Sequence, residues 1–384
     1  MIYLDNNATT QLDPLVLETM MPFLRDQYGN PSSAYSFGRK AAKAVATARE
    51  KVAALLRCSP SEIIFTSCGT ESDNSAIQSA LLVDPDRKHI VTSKVEHSAV
   101  VKHAEALARR GYEVTWLDVD SNGMLDLHDL ERVIREDTAI VSLMWANNET
   151  GVLFPIEEAA EICGSKGTLF HTDAVQAVGK IDINLSRTSV SFLSMSGHKL
   201  HAPKGVGALY VNRRTRFSPF LMGGGQENKR RGGTENAASI VALGFAAELA
   251  LDALGEEGVR VRALRDRFEQ GMLENVSSIQ VNGDRTQRLP NTSSLSIEGV
   301  DSEGMLMLLD QRGICCSAGS ACTAGSLEPS HVLRAMGFSN DRARGSLRFS
   351  FSRFNSETEV EQALRIIPEA VEKLRSMSGG VLVA

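Results

Sequence analysis

Short apolar runs alternate with helix-patterned segments over the first two-thirds of this 384-residue chain, and that alternation limits what it can fold into. "EIIFTS", "HIVTS", "EVTWLDV", "TAIVSLMWA", "TLFHTDA", "VSFLSMS" and "GVGALYV" read as strands. Between them, "GRKAAKAVATAREKVAALL", "SAVVKHAEALARRG", "DLERVIRED" and "IEEAAEICGSKG" carry helical spacing. Strand–helix–strand alternation of this kind predicts an α/β domain with a mostly parallel sheet. After about residue 250 the pattern changes. A charged helix, "EEGVRVRALRDRFEQGMLENV", is followed by "TSSLSIEG", the helix "SEGMLMLLDQRG", a Gly/Ser/Cys-rich loop, "GSLRFSFSRF" and a last helix from "SETEVEQALRII". That order predicts a second, smaller α+β domain, against which the extended first dozen residues are expected to pack.

Composition removes several function classes. The net charge of −6 argues against a nucleic-acid partner, which needs a basic surface. No basic-then-apolar leader opens the sequence, and no run is expected to be apolar enough to span a bilayer. The six cysteines include no C-x-x-C pair, so a structural zinc is not expected and free thiols in a reducing cytosol are.

Ligands in open α/β sheets collect where strands end at their carboxyl side. The residues that follow each run therefore matter most. "IIFTS" leads to Gly69 and Thr70 at a helix start, an anion site or merely an N-cap. "HIVTSKVE" leads to His97, which by itself reads more readily as a structural or surface residue. "LMWA" leads to Asn147, Asn148 and Glu149, which could be turn chemistry. "TLFHT" leads to Asp173 and Gln176, and "VSFLSMS" to His198 and Lys199. A lysine ending a buried strand is costly unless paired, exposed or used. Together these are the groups that hold pyridoxal phosphate: a lysine for a Schiff base, a helix start for the phosphate, and a carboxylate for the pyridinium nitrogen.

Two further features stand in the last third. Cys322 lies among Gly319, Ser320, Ala321, Gly325 and Ser326, small residues that suit a mobile loop presenting a thiol. Cys315 and Cys316 read as buried and inert. Arg348, on an alternating strand, could take a carboxylate bidentately or form a surface ion pair. The Gly-rich basic stretch "GGGQENKRRGGTEN" is undecided by composition.

The sequence resembles the cysteine desulfurases, and closely their nitrogen-fixation (NifS) branch. The resemblance runs from "YLDNNATT" and "YGNPSS" through "FTSCGTESDN", "MWANNETG", "FHTDAVQAVGK" and "GHKLHAPKGVG" to "RRGGTENAASI", "RLPNT", "GSACTAGSLEPSHV" and "RFSFSRF". One departure is "SAGS", where the family often has "SSGS".

The resemblance implies a pyridoxal-phosphate-dependent transferase of fold type I, acting as a homodimer. It implies a large cofactor domain over 14–250 and a small domain from 1–13 and 251–384, the latter carrying the Cys322 loop. Lys199 would anchor the cofactor. Gly69, Thr70, Ser196 and His198 would hold its phosphate, and Thr234 would reach the phosphate of the neighbouring subunit. Asp173 would face the ring nitrogen, Gln176 the ring hydroxyl and His97 the ring face. Asn148 and Arg348 would take the substrate carboxylate, with Asn148 also at the cofactor. Sulfur would leave L-cysteine for Cys322 as a persulfide, giving alanine, with His97 as proton carrier. An iron–sulfur scaffold protein would accept the sulfur in the cytoplasm. No resident metal is implied; Cys322 would at most share a cluster transiently with that scaffold. A selenocysteine lyase, a plain aminotransferase and a non-catalytic assembly partner are the competing readings.

Overall fold

The computed structural model describes residues 1–318 and 329–379. Its centre is a seven-stranded sheet in the order Ile63–Thr66, Gly207–Val211, Phe192–Ser196, Leu169–Asp173, Thr138–Ser142, His89–Ser93, Glu113–Leu117. The last five of these run parallel to one another, and Gly207–Val211 is antiparallel to both its neighbours. The α/β class with a mixed, mostly parallel sheet is as the sequence predicts. The inner strands are buried along their whole length, which is why they read as unbroken apolar runs.

Helices cover both faces. On one face Gly69–Val83 and Ser98–Ala108 pack Ile77, Leu81, Val100 and Leu107 against Ile64, Ile90, Ile140, Phe192 and Leu209. On the other lies a larger core that includes Ser36–Leu56. That helix buries Ala41, Val45, Ala48 and Val52, the spacing of one helical face, and stops at Arg57 in the left-handed region (φ 50°).

A second core gathers Phe268, Leu295, Met305, Leu347, Phe349, Phe351 and Ile367. It is built on the antiparallel sheet Ser317–Ala318, Ser346–Ser350, Thr292–Ile297, Ile279–Val281, with helices Ser302–Gln311 and Glu357–Gly379. The N-terminal strand Ile2–Tyr3 pairs in parallel with Ile314–Cys315, and Asp5 bridges to Ser350. One 39-residue helix, Ala237–Asn275, serves both cores. Its Ala238–Ala250 part packs into the first, and Val261, Leu264, Phe268 and Met272 into the second. It passes residue 250 without a break, where the sequence suggests a new helix.

That same helix corrects one expectation. A window within it has a mean hydropathy of 1.7, enough by length and composition to cross a membrane, although the sequence reading finds no such run. Half of that window is buried inside the protein, because its Ala-rich face packs on Ser36–Leu56.

Candidate active site

The carboxyl ends of the parallel strands open on one cavity of about 280 Å³. Gly69, Thr70, His97, Asn148, Asp173, Gln176, Ser196, His198, Lys199 and Arg348 all line it. The topology explains this convergence. Parallel strands deliver their following loops to the same edge, and Arg348 arrives from the smaller sheet on the Ser346–Ser350 strand.

Lys199 sits in a single 3-10 turn, Gly197–Lys199, directly after the Phe192–Ser196 strand. Its ammonium donates to the carbonyls of Asn7 and Ala8, the latter at 2.7 Å. The N-terminal segment thus supplies the partners that a strand-end lysine requires. The same segment is tied to this turn by Thr10, whose N–H and hydroxyl both donate to the His198 carbonyl (2.9 and 3.0 Å). Gln176 Nε2 donates to the Asn7 carbonyl at 3.0 Å, and Gln176 Oε1 accepts from Lys180 at 3.0 Å. Burial, with Lys199 and Arg348 nearby, lowers the Lys180 ammonium to about 7.

Asp173 closes the Leu169–Asp173 strand and is buried; its Oδ1 accepts from the Val175 N–H at 2.9 Å. Burial raises its carboxyl, against the pull of His97, the Val175 N–H and Lys199. His97 is the N-cap of Ser98–Ala108, its Nδ1 accepting from the Ala99 N–H at 3.2 Å. In the neutral ring the proton is therefore on Nε2. A structural role for His97, as helix cap, and a place in the cavity are both realised. Thr70 is not a cap: Cys68 holds that position, its Sγ accepting from the Glu71 N–H. The turn chemistry after "LMWA" belongs to Asn147, whose Oδ1 accepts from the Glu149 and Thr150 N–H groups, each at 2.9 Å. Asn148 remains for the cavity.

Ser196 and His198 complete the wall. The Ser196 hydroxyl is buried with no hydrogen-bond partner. His198 Nδ1 meets the Thr9 hydroxyl at 3.2 Å, and burial with Lys199 and Lys204 nearby lowers its imidazole to about 4, so the ring is neutral. Arg348 is 2% exposed, which excludes the surface ion pair. It donates to the Asn148 carbonyl (2.8 Å) and to Asp5 (2.9 Å), while its Nε has no partner.

Two sequence-predicted residues stand apart. Thr234 is exposed and does not line the cavity of its own chain. Cys322 lies outside the described residues. Cys315 and Cys316 are only half-buried by surface area, contrary to the reading as buried. The Gly-rich basic stretch is neither free nor uniformly solvated: Glu227 within it is buried and forms a bidentate pair with Arg49 (2.6 and 2.7 Å).

Sequence reasoning missed Asn7, Ala8, Cys68, Asp73, Glu96 and Lys180. The polar run "DNNATT" after an apolar pair was the available sign for the first two. Asp73 carried none, because an aspartate in the first turns of a helix is ordinary.

The sequence pattern of aminotransferase class-V proteins matches residues 2–363. The chain belongs to the aminotransferase class-V family. Among its class-V relatives, a cysteine desulfurase of Nostoc sp. is 53% identical over 377 residues, covering 98% of this chain and 94% of the relative. The cysteine desulfurase NifS of Azotobacter vinelandii is 52% identical over 378 residues, again covering 98% and 94%. A solved structure described as a NifS-like protein superposes with a TM-score of 0.91 at 38% identity, over 97% of this chain and 99% of that one.

Class-V aminotransferases use pyridoxal phosphate, and the residues present fit it. A primary amine, a carboxylate and an orphaned buried hydroxyl converge on the cavity, beside a helix start whose first N–H groups have no intrahelical acceptor.

Proposed function

We propose that the chain is a cysteine desulfurase, taking sulfur from L-cysteine with pyridoxal phosphate and leaving it on Cys322 as a persulfide. The observation that carries this reading is the shared cavity of Lys199, Asp173 and Arg348 in a chain more than half identical to a cysteine desulfurase. Bound there, pyridoxal phosphate supplies an aldehyde for covalent attachment and a ring that withdraws electrons.

The rest is work for side chains. Lys199 is the anchor and, once its amine is released, the base that takes the α-proton of L-cysteine. Gly69, Thr70, Ser196 and His198 hold the phosphate, and Asp173 holds its negative charge at the ring nitrogen. Gln176 would serve the ring hydroxyl, Asn148 would also contact the cofactor, and His97 would lie against the ring and carry a proton on Nε2. Arg348, its Nε free of protein partners, turns toward the substrate carboxylate with Asn148. Cys322 attacks the substrate sulfur: the Cβ–Sγ bond breaks, an S–S bond forms, and the thiol proton ends on the methyl group of alanine. A thiol ordinarily has a pKa of about 8.5, and the thiolate is the attacking form.

The reading includes a cytoplasmic homodimer in which Thr234 serves the neighbouring subunit, as its exposure outside its own cavity suggests. It also includes an iron–sulfur scaffold as acceptor, in the setting of nitrogenase maturation. Mass spectrometry after incubation with L-cysteine tests it: one added sulfur is expected on the peptide carrying Cys322. Cys322→Ala should bind L-cysteine yet release no sulfide under reductant, and turnover like that of the unaltered enzyme would overturn the assignment. In Lys199→Ala, borohydride should no longer fix the cofactor to the chain.

A further inference from the structure

The cavity wall includes a carboxylate that the proposed chemistry does not use. Asp73 projects from the Gly69–Val83 helix and is 1% exposed. One donor atom from each of Asp73, His97 and Asp173 lie within 4.8 Å of one another. Asp73 Oδ1 has no hydrogen-bond partner, and its nearest cationic candidate, His171 Nε2, stands 3.5 Å away. We infer that Asp73 is a positioning residue that holds a proton, so that the Asp73–Asp173 pair carries one negative charge and that charge rests on Asp173. The inference depends on the proposed cofactor site only for its consequence, not for the proton itself.

The charges around the two acids differ, and the difference decides which one is protonated. Asp173 faces Lys199 and His97 and receives the Val175 N–H. Asp73 faces Asp173, whose negative charge opposes one on it, and Glu96, which burial itself raises to about 8. Against them stands the nearby Ser194 hydroxyl, which favours the ionised form. His171 cannot add a positive charge, because full burial pulls its imidazole down to about 3. Its ring only relays hydrogen bonds. Its two ring nitrogens meet the Ser194 hydroxyl (Nε2, 2.9 Å) and the Ser142 hydroxyl (Nδ1, 2.8 Å), both neutral partners. Burial, with Asp173 nearby, drives the Asp73 carboxyl well above the usual carboxylate range. Two like-charged carboxylates sharing one buried site cannot both ionise cheaply. The neutral partner stops the site from meeting the cofactor with two negative charges.

Infrared spectroscopy of the cofactor-free protein at neutral pH, with and without aspartate isotopically labelled at the side-chain carboxyl, tests this directly. The expected result is an isotope-sensitive carbonyl band of a protonated carboxylic acid. It should vanish in Asp73→Asn and persist in Glu96→Gln. No isotope-sensitive band in the unaltered protein would overturn the inference, and so would a band that survives Asp73→Asn. The labelled unaltered protein decides the first point even if the variant does not fold. In the loaded enzyme, Asp73→Asn should leave the pH midpoint of the visible cofactor band within about 0.3 of its original value, since an amide replaces a neutral acid. A fall of about one pH unit or more would mean that a negative charge had been removed, and would refute a protonated Asp73. Failure of the persulfide experiment would leave the infrared result standing, so the two readings fail separately.

Discussion

Gly207 lies where the sheet brings two site-bearing strand ends together. It is in register with Thr66, which leads to the Gly69–Val83 helix, and with Ser196, which leads to Lys199. A Cβ at this position would stand 2.7 Å from the Met195 carbonyl oxygen, 2.9 Å from the Cys68 carbonyl carbon and 3.0 Å from the Thr66 hydroxyl. Non-bonded carbon contacts are comfortable at about 3.5–4.0 Å, so Gly207→Ala forces the two strand ends apart by a large part of an ångström. Overpacking costs about 1–3 kcal/mol, and the upper end applies because two of the three atoms are backbone and cannot rotate away. If the strain falls on the cofactor-competent geometry, about 3 kcal/mol corresponds to cofactor binding roughly 100-fold weaker. Gly205 is the control: its φ is +84° and nothing lies within 4 Å of a Cβ there. Gly205→Ala should cost about 1–2 kcal/mol of stability from backbone strain alone and spare the cofactor. Equilibrium titration with pyridoxal phosphate, followed by absorbance and paired with thermal melts, separates the two. Equal weakening of cofactor binding in both variants, or original affinity in Gly207→Ala, would refute the wedge argument.

Lys180 gives a pH dependence with a definite sign. Its folded-state value of about 7 lies below that of an unfolded lysine, so between there and about pH 10 the unfolded chain binds more protons and stability rises with pH. Lys180→Met should flatten that rise in denaturation midpoints collected across the window, and an unchanged slope would count against a buried ammonium. Glu227→Ala strands Arg49 and the Phe65 N–H, which donates to Glu227 at 3.0 Å; the loss should be about 3–5 kcal/mol in urea unfolding. Glu227→Gln, which keeps an acceptor, should be milder. Arg348→Lys should raise KM for L-cysteine about 10- to 100-fold with the cofactor spectrum retained, since a lysine cannot make the forked contact; an unchanged KM would remove Arg348 from substrate binding.

The strand-end residues were legible because a parallel sheet makes their meeting place a rule of topology. Each apolar run ends in a polar group, and the sheet alone decides that His97, Asp173 and Lys199 meet. What stayed hidden depends on contacts between distant segments. The Asn7 and Ala8 carbonyls carry no side-chain signature, yet they hold the Lys199 ammonium. Asp73 looks like a helix-start acid suited to the dipole, and only the packing of its helix on the sheet turns it inward. Glu227 lies in a stretch whose composition does not decide its role, and left-handed backbone at residues 227–229 is what turns that loop toward Arg49. The break expected at residue 250 failed for a related reason. The surroundings change there, from one core to the other, but the backbone hydrogen bonding does not.

The helix that threads both cores acts mechanically as a shared axle. At 39 residues it measures about 58 Å from end to end. A flexible tether would let the smaller unit swing freely; a continuous α-helix makes any tilt of one unit strain the other's packing. Displacements of the smaller core against the larger must therefore be small bends and slides along that axle, and a proline placed midway along it would uncouple the two cores without touching a single group in the cavity.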